Sequence, residues 1–254
     1  MTGRLQNRVA LVMGAGSSGP GWGNGKASAL TFARAGAHVV AVDRDPAAAA
    51  ETADLIAAEG LSGDAAACDA TDGAAVAALV DRLIGAHGRI DVLMNNIGIA
   101  VMGGPVELSE EEWRRVLDIN LTTIFSACKH VMPQMTQAGR GAIVNTSSIA
   151  GIRYVGYPYA SYYATKGAIN QLTVGLALQY AKQGVRVNAI MPGLMDTPMI
   201  YGQISTEYAD LDEMVAARHA MCPTGHMGTA WDVANAALFL ASDEAGYITG
   251  HCLP

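Results

Sequence analysis

Short, nearly uninterrupted apolar runs alternate along the chain with longer Ala-rich segments. The runs are Val9 to Met13, Ala37 to Val42, Asp64 to Ala67, Val92 to Asn95, Ala142 to Thr146 and Val185 to Ile190. Having little polar alternation, they predict strands covered on both faces. The Ala-rich segments predict helices near Gly25 to Ala35, Pro46 to Glu59, Gly73 to His87, Glu110 to Gln137, Tyr162 to Gln183 and Ala230 to Ala241. Pro46 suits a helix start, and Gly36 and Gly184 suit helix ends. The apolar stretch Tyr247 to Leu253 predicts a last strand. Repeated βα units imply an α/β fold built on a doubly wound parallel sheet. No repeat or low-complexity linker interrupts the pattern, so one domain over residues 1–254 is expected. Residues 198–228 are patterned weakly and carry turn residues with several Met, Tyr and His, which predicts a lid over a binding cleft.

Composition narrows the class. The chain is 51% hydrophobic and 15% charged, with 29 glycines, which favours a compact fold over disorder. A net charge of −7 disfavours nucleic acid or an anionic membrane as the main partner and leaves a small molecule. The polar start, Met1 to Arg8, and the shortness of Val9 to Met13 argue against a signal peptide or a membrane span, so a cytoplasmic protein is expected. Cys68, Cys128, Cys222 and Cys252 form no metal-binding spacing, which predicts reduced, mostly buried thiols and no metal.

The first apolar run leads into Gly14-Ala15-Gly16-Ser17-Ser18-Gly19-Pro20-Gly21-Trp22-Gly23-Asn24-Gly25-Lys26 and then a helix. Glycines admit a pyrophosphate close to the backbone, and a helix start offers free N–H groups. This predicts a dinucleotide site with Gly14, Ser17 and Asn24 among its contacts. Asp43 closes the second strand, where a carboxylate accepts the ribose hydroxyls and repels a 2′-phosphate. NAD is therefore expected over NADP, although neighbouring Arg44 would suit a phosphate.

Asn95-Asn96-Ile97-Gly98, Asn120, Ser147-Ser148, Tyr162-x-x-x-Lys166 and Pro192-Gly193 follow in order. With these elements nearly the whole chain resembles the short-chain dehydrogenase/reductase family. The resemblance implies a Rossmann-like fold and a catalytic set of Asn120, Ser148, Tyr162 and Lys166, with Asn120 holding a water relay to Lys166. It also implies Asp69 and Ala70 beside the adenine, and Asn96 and Gly98 along the adenosine ribose. Pro192, Gly193, Met195 and Thr197 would border the nicotinamide carboxamide. A homotetramer is implied too, joined through the helices after Ser109 and from Tyr162. Met13 and Ile97 depart from the family's usual threonine and alanine. The glycine loop is about five residues longer than usual, with Ser18 to Trp22 as the insertion, expected to arch over the pyrophosphate.

Lys166 follows Tyr162 by one helical turn, which brings ammonium and phenol to one face. At a separation of about 4 Å and an effective dielectric of about 20, the charge would favour the phenolate by about 4 kcal/mol, or roughly three pKa units. Tyr162 is then expected near neutrality, giving and taking a proton as hydride moves, with Ser148 orienting the substrate oxygen. Tyr163 is expected to pack. Tyr154, Tyr157, Tyr159, Met195, Met199 and Tyr201 would make an apolar pocket for a cyclic or aromatic secondary alcohol or ketone, if they face the cleft. His219 and His226 are expected to be solvated. Alternatives are a 3-oxoacyl thioester reductase with a basic rim of Arg114, Arg115, Lys129 and Arg153, a non-catalytic NAD-binding sensor and a purely structural subunit.

Overall fold

The computed structural model describes residues 3–203 and 209–254. Strands β1 (Val9–Met13), β2 (His38–Asp43), β3 (Gly63–Ala67), β4 (Val92–Asn95), β5 (Gly141–Thr146) and β6 (Val185–Ile190) alternate with helices α1 (Asn24–Arg34), α2 (Pro46–Ala58), α3 (Gly73–His87), α4 (Glu110–Leu117), α5 (Thr123–Gln137) and α6 (Ala160–Tyr180). Beyond β6 come β7 (Met195–Asp196), α7 (Pro198–Gln203), α8 (Leu211–Met221), β8 (Gly228–Thr229), α9 (Ala230–Ala241) and β9 (Cys252–Leu253). The main sheet is parallel throughout, in the order β3-β2-β1-β4-β5-β6-β9. Strand order reverses between β1 and β4, which opens a crevice at their C-terminal ends.

Successive side chains of a strand face opposite sides, and β1 shows the result. Ala10 and Val12 join Leu30 and Phe32 of α1 and Val233 and Leu238 of α9 in one core. Leu11 and Met13 join Val76 and Leu79 of α3, Ile124 and Val131 of α5 and Ile169 of α6 in the other. The Rossmann-like, doubly wound α/β architecture expected from the pattern is thus present.

Four local expectations need correction. β3 is an edge strand, with Asp64, Ala65 and Ala67 exposed, so its small residues are not covered on both faces. The helix expected from Glu110 to Gln137 is interrupted by a wider π turn, Asp118–Thr122, between α4 and α5. α6 starts at Ala160, ahead of Tyr162, and the last strand is only Cys252–Leu253. Residues 198–228 hold two helices and a two-strand pairing of Met195 with Gly228; 204–208 lie outside the described residues. Among the described residues no helix is long and apolar enough to cross a membrane. All four cysteines are free, with Cys68 and Cys128 buried and Cys222 and Cys252 half-buried.

Candidate active site

The turn from β1 to α1 is packed so closely that side chains are excluded from it. Gly14 has φ +75°, and a Cβ on Gly25 would stand 1.9 Å from the Gly14 carbonyl oxygen. Asn96 fixes the same turn, its Nδ2 donating to the Gly14 carbonyl at 3.0 Å while Thr146 Oγ1 donates to its Oδ1 at 3.2 Å. α1 begins at the Gly23 N-cap with no side-chain cap and no acidic residue in its first turn. Its end thus keeps free N–H groups and partial positive charge, and Asn24 Oδ1 is buried without a partner. A cradle of this kind fits the phosphates of a dinucleotide.

The Gly16 amide donates to Asp43 Oδ2 at 3.0 Å and the Asp45 amide to Asp43 Oδ1 at 3.1 Å, which holds the carboxylate at the crevice. Asp69 takes the Thr71 amide and hydroxyl at 2.9 and 2.7 Å, and these bonds hold its carboxyl below the usual range. The insertion divides between two places. Ser17 and Ser18 line the cleft, but Trp22 leaves it to stack on Trp231 of α9, ring centres 4.6 Å apart. A Cβ on Gly19 or Gly21 would lie 3.4 or 3.7 Å from Pro198, the first residue of α7. The loop thus runs from the glycine turn to the start of α7.

The cleft has a volume of about 1010 Å³, enough for a dinucleotide and a small substrate together. Gly14, Ser17, Asn24, Asp43, Arg44, Asp69, Ala70, Asn96 and Gly98 line one part of it; Ser148, Tyr162, Lys166, Pro192, Gly193, Met195 and Thr197 line the rest. Asn120 does not. The π turn drives it inward, where it is wholly buried, and its amide donates to the Ile99 carbonyl at 2.9 Å and to Thr165 Oγ1 at 3.1 Å. Its Oδ1 accepts the Ile99 amide at 2.8 Å, so only an acceptor site remains for a relay. A Cβ on Gly98 would lie 3.4 Å from Lys166 Nζ and 3.5 Å from Asn120 Oδ1, which places both side chains against this loop.

Lys166 Nζ donates to the Thr146 carbonyl at 2.8 Å and sits 5.4 Å from the Tyr162 ring centre. Burial lowers its pKa from 10.5 to about 8. Burial also raises the Tyr162 phenol, and a hydrogen bond with Ser148 only partly opposes this. The near-neutral phenol expected from spacing is therefore corrected: desolvation, which spacing does not show, moves the phenol the other way.

Tyr157 and Tyr159 face the cleft with Met195 and Met199, whereas Tyr154 is 71% exposed and Tyr201 turns to Asp196 at 2.8 Å. Tyr163 packs as expected, accepting the Val155 amide at 3.0 Å and donating to the Tyr157 carbonyl at 2.9 Å. His226 is exposed, but His219 accepts the Met227 amide at 2.9 Å and so ties α8 to β8. The basic rim assembles only in part: Arg114 and Arg115 line the cleft, each paired with a glutamate of its own helix, Glu110 and Glu112, whereas Lys129 and Arg153 lie outside it.

Residues 20–254 match the family model described as enoyl-(acyl carrier protein) reductase. The chain is a short-chain dehydrogenase/reductase. This short-chain dehydrogenase/reductase is 47% identical to a family member from Burkholderia xenovorans of known structure, covering 99% of this chain and 95% of that one with a TM-score of 0.93. It is 36% identical to cyclohexanol dehydrogenase of an Acinetobacter species, over 98% of this chain and 94% of the relative. A structure from Beutenbergia cavernae described as an NAD(P)-dependent gluconate 5-dehydrogenase, with NADP bound at low occupancy, is 38% identical with a TM-score of 0.88, covering 98% of this chain and 95% of that one. The enzyme is thus an oxidoreductase of a family that uses nicotinamide cofactors on small molecules.

One cleft residue escaped the sequence. Arg218 of α8 is 3% exposed, lines the cleft and donates from Nη1 to Tyr157 Oη at 3.3 Å. In sequence it is one charge on a polar lid helix, and no motif marks it.

Proposed function

We propose that this short-chain dehydrogenase/reductase interconverts a secondary alcohol and a ketone, cyclic or aromatic, using NAD. The observation that carries the reading is the convergence of Ser148, Tyr162 and Lys166 in one cleft with the glycine cradle and the Pro192-Gly193 segment. A bound nicotinamide would supply the hydride acceptor or donor. Ser148 Oγ orients the substrate oxygen, and Tyr162 Oη takes the carbinol proton during oxidation and returns it during reduction. Lys166, held by the Thr146 carbonyl, favours the phenolate when charged. Asn120 positions the Ile99 loop and Thr165 of α6 around them.

Asp43 supports NAD, since the Gly16 and Asp45 amides fix its carboxylate where a 2′-phosphate would be repelled. Residues 198–228 act as the substrate lid. Exposed Phe125 on α5 and Leu178 on α6 support a homotetramer joined through these helices, which size-exclusion chromatography with light scattering tests.

A screen of cyclic and aromatic secondary alcohols with NAD, read as NADH absorbance, tests the activity. Tyr162→Phe should retain NADH binding and lose turnover by about 10²–10⁴-fold, the usual worth of positioned acid–base catalysis. Near-normal kcat in that variant would remove the mechanism.

A further inference from the structure

Among the described residues the other cations drawn into the interior each have a carboxylate or carbonyl partner, and Arg218 has neither. Lys26, 3% exposed, pairs with Glu51 at 2.7 Å, Lys166 is held by a carbonyl, and Arg186 is clasped by the carbonyls of Leu240, Ser242 and Ile248. Arg218 is as buried as Lys26, yet among the described residues its partners are the Tyr157 hydroxyl and the Met227 sulfur, each at 3.3 Å. Among the described residues no carboxylate stands within ion-pair distance of it. A guanidinium buried without a counter-charge costs several kcal/mol, and this one borders the cleft. A second donor in the same wall is Tyr159, 4% exposed, whose buried hydroxyl has no partner among the described residues. The rest of that wall, Val155, Leu194, Met199 and Ile200, is apolar, and Met214 and Met227 pack behind it.

We propose that the substrate carries a carboxylate, and that Arg218 is the residue that selects it. The planar guanidinium suits two-point contact with a carboxylate, and a single cation on an apolar wall fits a monoanion. The rings of Tyr162, Tyr159 and Tyr157 follow one another with centres 5.6 and 5.4 Å apart, and Arg218 lies beyond the last. The carboxylate therefore sits several bonds from the carbinol, as in a ring-bearing hydroxy acid rather than a 2-hydroxy acid. This inference rests on the proposed alcohol site for the carbinol's position, but the anion site is testable without turnover.

The test is calorimetric titration of the NADH-saturated enzyme with cyclohexanecarboxylate and benzoate, and with their neutral carboxamides. At least one carboxylate should bind ten-fold or more tightly than its amide, and Arg218→Gln should abolish the difference while Arg218→Lys retains part of it. Equal binding of acid and amide, no binding of either acid, or a preference that survives in Arg218→Gln would overturn the proposal. Should Arg218→Gln fail to fold, the wild-type comparison decides alone. Oxidation of 4-hydroxycyclohexanecarboxylate and its carboxamide with NAD separates the two readings. Arg218-dependent acid binding without NADH formation would sink the alcohol reaction and leave the anion site standing. Equal oxidation of acid and amide would sink the anion site and leave the reaction.

Discussion

The Gly16 amide donates to Asp43 Oδ2 at 3.0 Å, and a Cβ on Gly16 would intrude to 2.8 Å from that same oxygen. Glycine at 16 therefore lets backbone and carboxylate meet, and the carboxylate arrives at the crevice already oriented. Asp43→Ser should lower kcat/KM with NAD by about 10²-fold, the effect of losing a charged hydrogen-bonding partner worth about 3 kcal/mol, and should raise it with NADP. Steady-state kinetics with both cofactors check this; a wild-type preference for NADP would overturn the assignment.

The buried ammonium of Lys166 gives a pH signature in stability. Its folded pKa of about 8 lies below the usual 10.5, so folding is penalised while the group is charged in both states, below pH about 8. The penalty is relieved as pH rises from about 8 towards 10.5, where only the unfolded chain still holds the proton. Relative to Lys166→Met, the wild type should gain about 3 kcal/mol across that window, a difference of roughly two and a half pKa units. Urea unfolding of both proteins at neutral and alkaline pH measures it, and a pH-independent difference would mean the ammonium is better solvated than its burial implies.

Asn120 has a positioning role that can be told from a purely structural one. Asn120→Ala removes three hydrogen bonds and leaves the Ile99 backbone groups unmatched, which should cost about 3 kcal/mol. If the residue also positions the reacting groups, kcat should fall much further than the affinity for NADH measured by fluorescence. Equal losses in both would reduce Asn120 to a brace.

Trp22→Ala tests the long glycine loop. It removes the stacking on Trp231 and uncovers Lys26, whose ammonium lies 5.8 Å from the Trp22 ring centre. A loss of about 2 kcal/mol should lower Tm by about 4–8 °C in a chain of this length. KM for NAD should rise several-fold, since the loop's cleft side is formed by Ser17 and Ser18. An unchanged KM would confine the loop to a structural role.

Strands β1, β2, β4, β5 and β6 were legible because burial on both faces leaves a plain apolar run, and the cradle because glycine alone tolerates its backbone contacts. β3 was misjudged, since short runs of Ala do not tell an edge strand from a central one. The π turn at Asn120 was invisible because one extra residue in a turn hardly alters apolar spacing across Glu110 to Gln137. The spacing of Tyr162 and Lys166 showed that they share a face, but a pKa depends on how much water is excluded, and only the packed structure carries that. Arg218 was missed for the same reason: an arginine on a polar helix looks solvated until neighbouring elements close over it.

Gly19 and Gly21 lie so near Pro198 that a Cβ on either would touch it, which brings together segments far apart in sequence. Pro198 starts α7, the first helix of the proposed lid, so a shift of the glycine loop is expected to be felt there. Seating the dinucleotide completes one jamb of the substrate's doorway, and product-inhibition patterns should be those of a compulsory-order reaction with the dinucleotide first to enter and last to leave.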